Sequence, residues 1–231
     1  SKTPWDQLFT LKGFFNAFDS YPEIWVDDGT GKLVYGSTLP GTKDALATLH
    51  QMYVDGLLDP EFAVKDDGKV AEATTSGKCG IMFGAQWNSI YPLQNSKNLE
   101  PEGQWQAFPI VTATDHKAKA QTDVGTTAWT VVRKDCEHPE AVVKMYNLFI
   151  DKCWGPNNEN GVYYAPLDSE SIWKLSPVTP TKPDKNLKAF LDLEAARQSG
   201  DFSQVTGEGY SILQKLQAFE SGSEEGFALW G

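Results

Sequence analysis

The sequence predicts an α/β chain, and three features predict it. The first is the stretch from Ser76 to Asn88, where Cys79–Phe83 form a short apolar run bounded by glycines, the pattern of a buried strand. The second is residues 23–36, where Glu23-Ile-Trp-Val and Leu33-Val-Tyr flank the glycine-rich turn Asp27-Asp-Gly-Thr-Gly-Lys and so predict a β-hairpin. The third is a set of segments with apolar residues at helical spacing, separated by polar connectors. Helices that precede strands, with long connectors between them, favour α/β or α+β over an all-helical bundle.

In chain order, Leu8, Leu11, Phe15 and Phe18 predict a helix within residues 5–18, which Pro22 brings to a close. Thr42 is the expected N-cap of a helix carrying Leu46, Leu49 and Tyr53 on one face, with Gly56 at its end. A short helix is expected from about Asp67 to Thr75, closed by Gly77. Trp105, Ala107 and Phe108 predict an extended piece, and residues 112–122 an exposed loop or crossover. The run from Thr127 to Val132 is β-branched and aromatic, hence a strand. Pro139 and Glu140 open a helix with the stripe Val142, Met145, Tyr146 and Phe149. Residues 153–186 have no period but hold Trp154, Tyr163, Tyr164 and Trp173, as either a site or apolar anchors. Leu187, Phe190, Leu191 and Ala195 predict one further helix ending at Gly200. Ile212, Leu213, Leu216 and Phe219 predict another ending at Gly222.

Totals narrow the function. The 231 residues can bury a sizeable core. A net charge of −11, spread along the chain, disfavours nucleic acid and anionic membrane surfaces, which need basic patches. No apolar run approaches the length of a membrane span. Cys136 and Cys153 flank one predicted helix, roughly 25 Å apart and beyond disulfide reach, so Cys79, Cys136 and Cys153 are read as free thiols. His50, His116 and His138 lack metal-ligand spacing. Asp27 and Asp28 lack the alternating pattern of a calcium loop, and no metal or cofactor is expected. Asp59 and Glu61 flank Pro60 in a turn, where capping explains them better than acid–base chemistry. Ser76, Ser89 and Ser203 lack a nucleophile-elbow context, and neither a phosphate loop nor a dinucleotide fingerprint occurs.

Aromatics make up 12% of the chain, and Trp87 with Asn88 follows the carboxyl end of the predicted strand, where ligands bind in open α/β sheets. An indole face covers the C–H patch of a sugar ring while an amide meets its hydroxyls. The same pair also reads as a core Trp and a turn-forming Asn.

Three stretches carry a resemblance: Asp55-Gly-Leu-Leu-Asp-Pro-Glu-Phe, then Ser76 to Trp87, then His138-Pro-Glu-Ala-Val-Val-Lys-Met-Tyr-Asn. With the hairpin residues Trp25, Asp28, Gly29, Lys32, Leu33 and Val34 and the run Trp105-Gln-Ala-Phe-Pro, they resemble the extracellular solute-binding proteins of family 1, nearest its Gram-positive oligosaccharide-associated branch. The resemblance is in register over roughly residues 20–155. It implies a type II periplasmic-binding-protein-like fold, mostly one lobe plus crossover segments of the other: 1–111 as main lobe, 112–155 as crossover and part of the second lobe, 156–231 returning to the main lobe. It implies binding of an oligosaccharide in an interlobe cleft, without catalysis, for the membrane permease subunits of an ABC importer. Trp87 takes the position of the family's sugar-stacking Trp. Asn88 beside it, Trp129 on the returning strand and Tyr21 before the hairpin are further candidate contacts.

Family members are about twice as long. The apolar residues near both ends suggest an excised piece that lacks the lipid-attachment cysteine and pairs or binds a hydrophobic dye. Two other readings are a glycan-processing enzyme, which needs opposed carboxylates such as Asp19 and Glu23, and a foldable fragment without activity of its own.

Overall fold

A computed structural model describes residues 9–122, 125–126, 128–155, 159–164, 172–203, 205 and 208–227. The chain divides into two compact units: residues 1–123 with 227–231, and residues 124–226.

The first unit starts with the short helix α1 (Lys12–Asn16). The predicted helix is longer than this, because the chain turns away after Asn16 into a left-handed Asp19, and residues 5–8 lie outside the described set. Strands β1 (Trp25–Asp27) and β2 (Leu33–Tyr35) pair antiparallel with Trp25 opposite Tyr35, as the hairpin pattern predicts. Asp27 Oδ1 accepts from the amides of Gly29 and Gly31 at 2.7 and 3.0 Å, and both glycines hold the positive φ that the turn requires.

Helix α2 (Gly41–Val54) begins one residue before the expected cap. Thr42 therefore sits inside the first turn, where its hydroxyl meets that of Ser20. The inward face of α2 is Ala45, Leu49 and Met52, whereas Leu46 and Tyr53 point outward. Helix α3 (Asp67–Thr75) has the expected bounds. Asp66 caps it by accepting from the Lys69 amide at 3.0 Å, and Gly77 turns left-handed beyond it. Helix α4 (Leu93–Leu99) packs on α3.

The stretch 79–83 departs from the expectation. It is not part of a sheet. Ile81 is 82% exposed, Met82 turns inward to the Phe9–Ala71 core, and the Phe83 ring meets Phe14 edge-on at 5.5 Å. A strand needs a neighbour for its backbone groups. Among the described residues the only ladder joins β1 to β2, and this run has none. Residues 105–111 and 128–132 likewise carry no ladder.

The second unit is built on α5 (Glu140–Trp154), whose inward residues Val142, Met145, Tyr146 and Phe149 are the predicted stripe. Helix α6 (Asn160–Tyr163) packs on α5, and α7 (Lys185–Ser199) packs on α8 (Glu208–Glu220). In α7 the inward positions are Ala189, Leu193 and Ala196, while Leu187, Phe190 and Leu191 are exposed, a rotation of the expected face. Gly200 and Gly222 close α7 and α8 with positive φ, as expected. Of the aromatic residues in 153–186, Trp154, Tyr164 and Trp173 act as apolar anchors, while Tyr163 is exposed. Buried Tyr164 lies between Trp154, at 4.8 Å, and a stacked Trp173, at 5.9 Å, and joins Phe149, Cys153 and Val178 in the core. Burial pushes the Cys153 thiol above its ordinary value, the setting of an inert structural cysteine.

Candidate functional site

Trp87 and Asn88 occupy a 3-10 turn, Gln86–Ser89, between the extended run and α4. The turn is tied locally: the Asn88 amide donates to Ala85 O at 3.0 Å and the Ile90 amide to Trp87 O at 2.9 Å. It delivers the two side chains to opposite environments. The indole is 36% exposed, while Asn88 is 5% exposed. The turn is backed by α4, where buried Ser96 accepts from the Trp105 indole at 3.0 Å.

Tyr21 stands on a different device, an arch over Asp19–Glu23. Both ends of the arch are left-handed without glycine, with φ of 55° at Asp19 and 68° at Glu23. Such conformations cost on the order of 1 kcal/mol or more each and persist only where the surroundings over-determine them. Ser20 and Pro22 are fully buried, and Tyr21 between them is half-buried. The Tyr21 hydroxyl points to Asp19 Oδ1, a long contact of 3.5 Å, and Asp19 Oδ2 meets His116 Nε2 at 2.8 Å. Burial, and then the Asp19 carboxylate, raise the Tyr21 phenol above its ordinary value, so it stays a hydrogen-bond donor throughout the neutral range. Glu23 pairs with Lys12 at 3.4 Å.

Two close approaches fit the arch to the hairpin and α2. A Cβ at Gly36 would lie 1.9 Å from Tyr21 O, and one at Gly41 would lie 1.6 Å from Phe18 O. Only glycine fits there.

Trp87, Asn88 and Tyr21 thus belong to the first unit, and Trp129 to the second, where it is 85% exposed. Within the first unit, the Phe83–Phe14 contact links the run leading to Trp87 with the helix leading to the arch. Asn16, His116 and Gln121, which hold the arch, carry no signal in the sequence. Residues 112–122 look like ordinary polar loop, and their partners lie about a hundred positions earlier. Among the described residues no cluster of His, Cys, Asp and Glu could hold a metal ion, and no helix is long and apolar enough to cross a membrane.

A part-exposed indole offers a face for stacking, and a phenol held beside a carboxylate offers a hydrogen-bond donor. Residues 2–152 match the bacterial extracellular solute-binding protein family, and the chain belongs to that family. The family carries a periplasmic-binding-protein-like fold, and helices with a small sheet are compatible with it. Among curated proteins, the chain is similar to an uncharacterized protein from the region 5′ of butB in Niallia circulans, at 27% identity over 133 residues, 53% of this chain and 52% of the relative. The chain thus aligns with about half the length of that relative. No solved structure matches it.

Proposed function

We propose that this chain is the substrate-binding part of an ABC importer and takes an oligosaccharide, with Trp87 as the stacking surface and Asn88 and Tyr21 as further contacts in the same unit. On this reading the whole protein is extracellular, held at the membrane as a lipoprotein, and hands its sugar to the permease subunits. One observation carries the reading: in a chain of this family, Trp87 keeps a third of its surface open on a turn whose next residue is a buried amide. A Trp serving only the core packs on neighbouring rings, as Trp154 does on buried Tyr164. Electrostatics agree with a neutral sugar, since the net charge of −11 disfavours an acidic one. The enzyme reading has less support. Asp19 faces His116 and Glu23 faces Lys12, whereas a proton-donating carboxyl is kept in an apolar site.

The test is a tryptophan-fluorescence titration against a panel of neutral and uronate-bearing oligosaccharides, comparing wild type with Trp87→Ala. A saturable shift that weakens at least tenfold in the variant is expected, the loss of one aromatic anchor. A shift untouched by Trp87→Ala moves the site elsewhere, and no saturable shift with any sugar sinks the carbohydrate reading.

A further inference from the structure

We propose that Asn16 and Gln121 are positioning residues of the solute site: as one chain of two amides they hold the backbone carbonyls on either side of Tyr21 and so set where its ring and hydroxyl stand. This rests on Tyr21 being a solute contact, as proposed above.

The connectivity is complete. Asn16 Nδ2 donates to Ser20 O at 3.0 Å and to Gln121 Oε1 at 3.0 Å. Asn16 Oδ1 accepts the Gln121 backbone amide at 3.0 Å. Gln121 Nε2 then donates to Pro22 O at 2.9 Å. Ser20 and Pro22 are the neighbours of Tyr21, so both carbonyls flanking the candidate contact end on the same two side chains. The arrangement also fixes the orientation of both amides. Turning either one over sets an oxygen against a carbonyl oxygen. A linked chain of this kind, with Asn16 buried, is stiffer than its bonds taken singly.

Other ties act on the arch as well. The Ser20 amide donates to Phe15 O at 3.1 Å, the Tyr21 amide to Gly36 O at 3.4 Å and the Glu23 amide to Ser37 Oγ at 3.2 Å, while the Ser20 and Thr42 hydroxyls lie 2.6 Å apart. These are backbone and short-hydroxyl contacts to α1, the hairpin and α2. Gln121, like His116 on Asp19, reaches the arch from the far end of the unit's sequence, about a hundred residues on. It makes the crossover 112–122 part of the wall that holds Tyr21. The Ala113 amide, donating to Ala17 O at 2.8 Å, lays that segment along α1. A contact residue has to be held within about half an ångström to keep its affinity, and groups behind it supply that precision.

The test uses the full 231-residue chain. Gln121→Met keeps the length of the side chain and removes its amide. Hydrogen exchange is followed on peptides covering 17–24 and α2. A mixed xylan hydrolysate is the binding probe, titrated by tryptophan fluorescence in wild type, Gln121→Met, Tyr21→Ala and the double variant. The proposal expects at least tenfold faster exchange over 17–24 with α2 unchanged. It also expects about tenfold weaker binding in Gln121→Met, and no further loss when that change is added to Tyr21→Ala, since a residue acting through Tyr21 has nothing to act on once the ring is gone. Unchanged exchange over 17–24 overturns the clamp whatever the probe does. An equal affinity loss with and without Tyr21 overturns the route through Tyr21. If exchange rises but Tyr21→Ala binds like wild type, the assignment of Tyr21 as a contact falls, and the positioning role falls with it. A wild type that ignores the hydrolysate counts against this sugar class, and exchange then decides the clamp by itself.

Discussion

The arch at Asp19–Glu23 and the turn at Gln86–Ser89 present candidate contacts in the same unit but are built in opposite ways. The turn is held by backbone bonds that span three or four residues, with φ negative throughout. The arch contains two left-handed residues without glycine and is held by side chains from as far as 99 positions away. Local bonding leaves Trp87 free to be replaced without disturbing its support. Long-range bonding makes Tyr21 only as well placed as the groups behind it. The two segments therefore answer differently to substitution, and the differences can be ranked.

The largest contrast is at glycine. Gly36→Ala and Gly41→Ala each drive a methyl into backbone that has no room to yield, and each is expected to cost more than about 3 kcal/mol. Gly80→Ala, in the run that leads to the turn, meets open space and is expected to stay within about 0.5 kcal/mol. Urea midpoints of the three variants check this. Similar losses at all three would mean that the arch is no more tightly packed than the extended run.

A smaller contrast comes from the side chains. Asn16→Ala removes two donated bonds and one accepted bond from a buried site, leaving Ser20 O and the Gln121 groups without their partner. A loss of about 2–3 kcal/mol is expected. Ser89→Ala removes only a 3.4 Å exposed contact to Gln86 O, and less than about 0.5 kcal/mol is expected. Equal effects on the urea midpoint would put the strength of the arch in its backbone bonds and not in the amide chain.

The same division decides what the sequence made legible. Helix α3 has both its bounds, and α2, α7 and α8 end where Gly56, Gly200 and Gly222 stand, because caps and left-handed glycines act within a turn of the residue that signals them. The hairpin is legible for the same reason. Cys79–Phe83 has the composition of a buried strand, but composition cannot supply a neighbouring strand, and Ile81 ends in solvent. The face of α7 is misread because Leu187, Phe190 and Leu191 are apolar yet exposed, while the small Ala189 and Ala196 make the close approach. The family shows through short motifs in order, and the match to it spans residues 2–152, beginning upstream of the first quoted motif. Trp87 could be singled out by position. Asn16 and Gln121 could not, since nothing near either residue tells that the chain will bring them together.

The smallest effect is a pH dependence confined to the arch, because Tyr21 titrates and the turn holds no ionisable side chain. Burial, the larger cause, and the Asp19 carboxylate raise the folded-state value of the phenol above that of the unfolded chain. The native state thus keeps its proton where the unfolded state has begun to lose it. Stability falls with rising pH whenever the native state binds more protons. The contribution is therefore complete below about pH 10, the ordinary value of the group, and is lost as the pH climbs through the raised folded value. Wild type is expected to lose stability more steeply than Tyr21→Phe across that alkaline window, and to match it in slope at neutral pH. The other tyrosines are common to both proteins and cancel in the comparison. Asp19→Asn should shrink the difference while leaving part of it, since burial remains. If Asp19→Asn abolishes the difference, the carboxylate and not burial governs Tyr21, and the arch is wetter around the ring than its buried neighbours Ser20 and Pro22 imply.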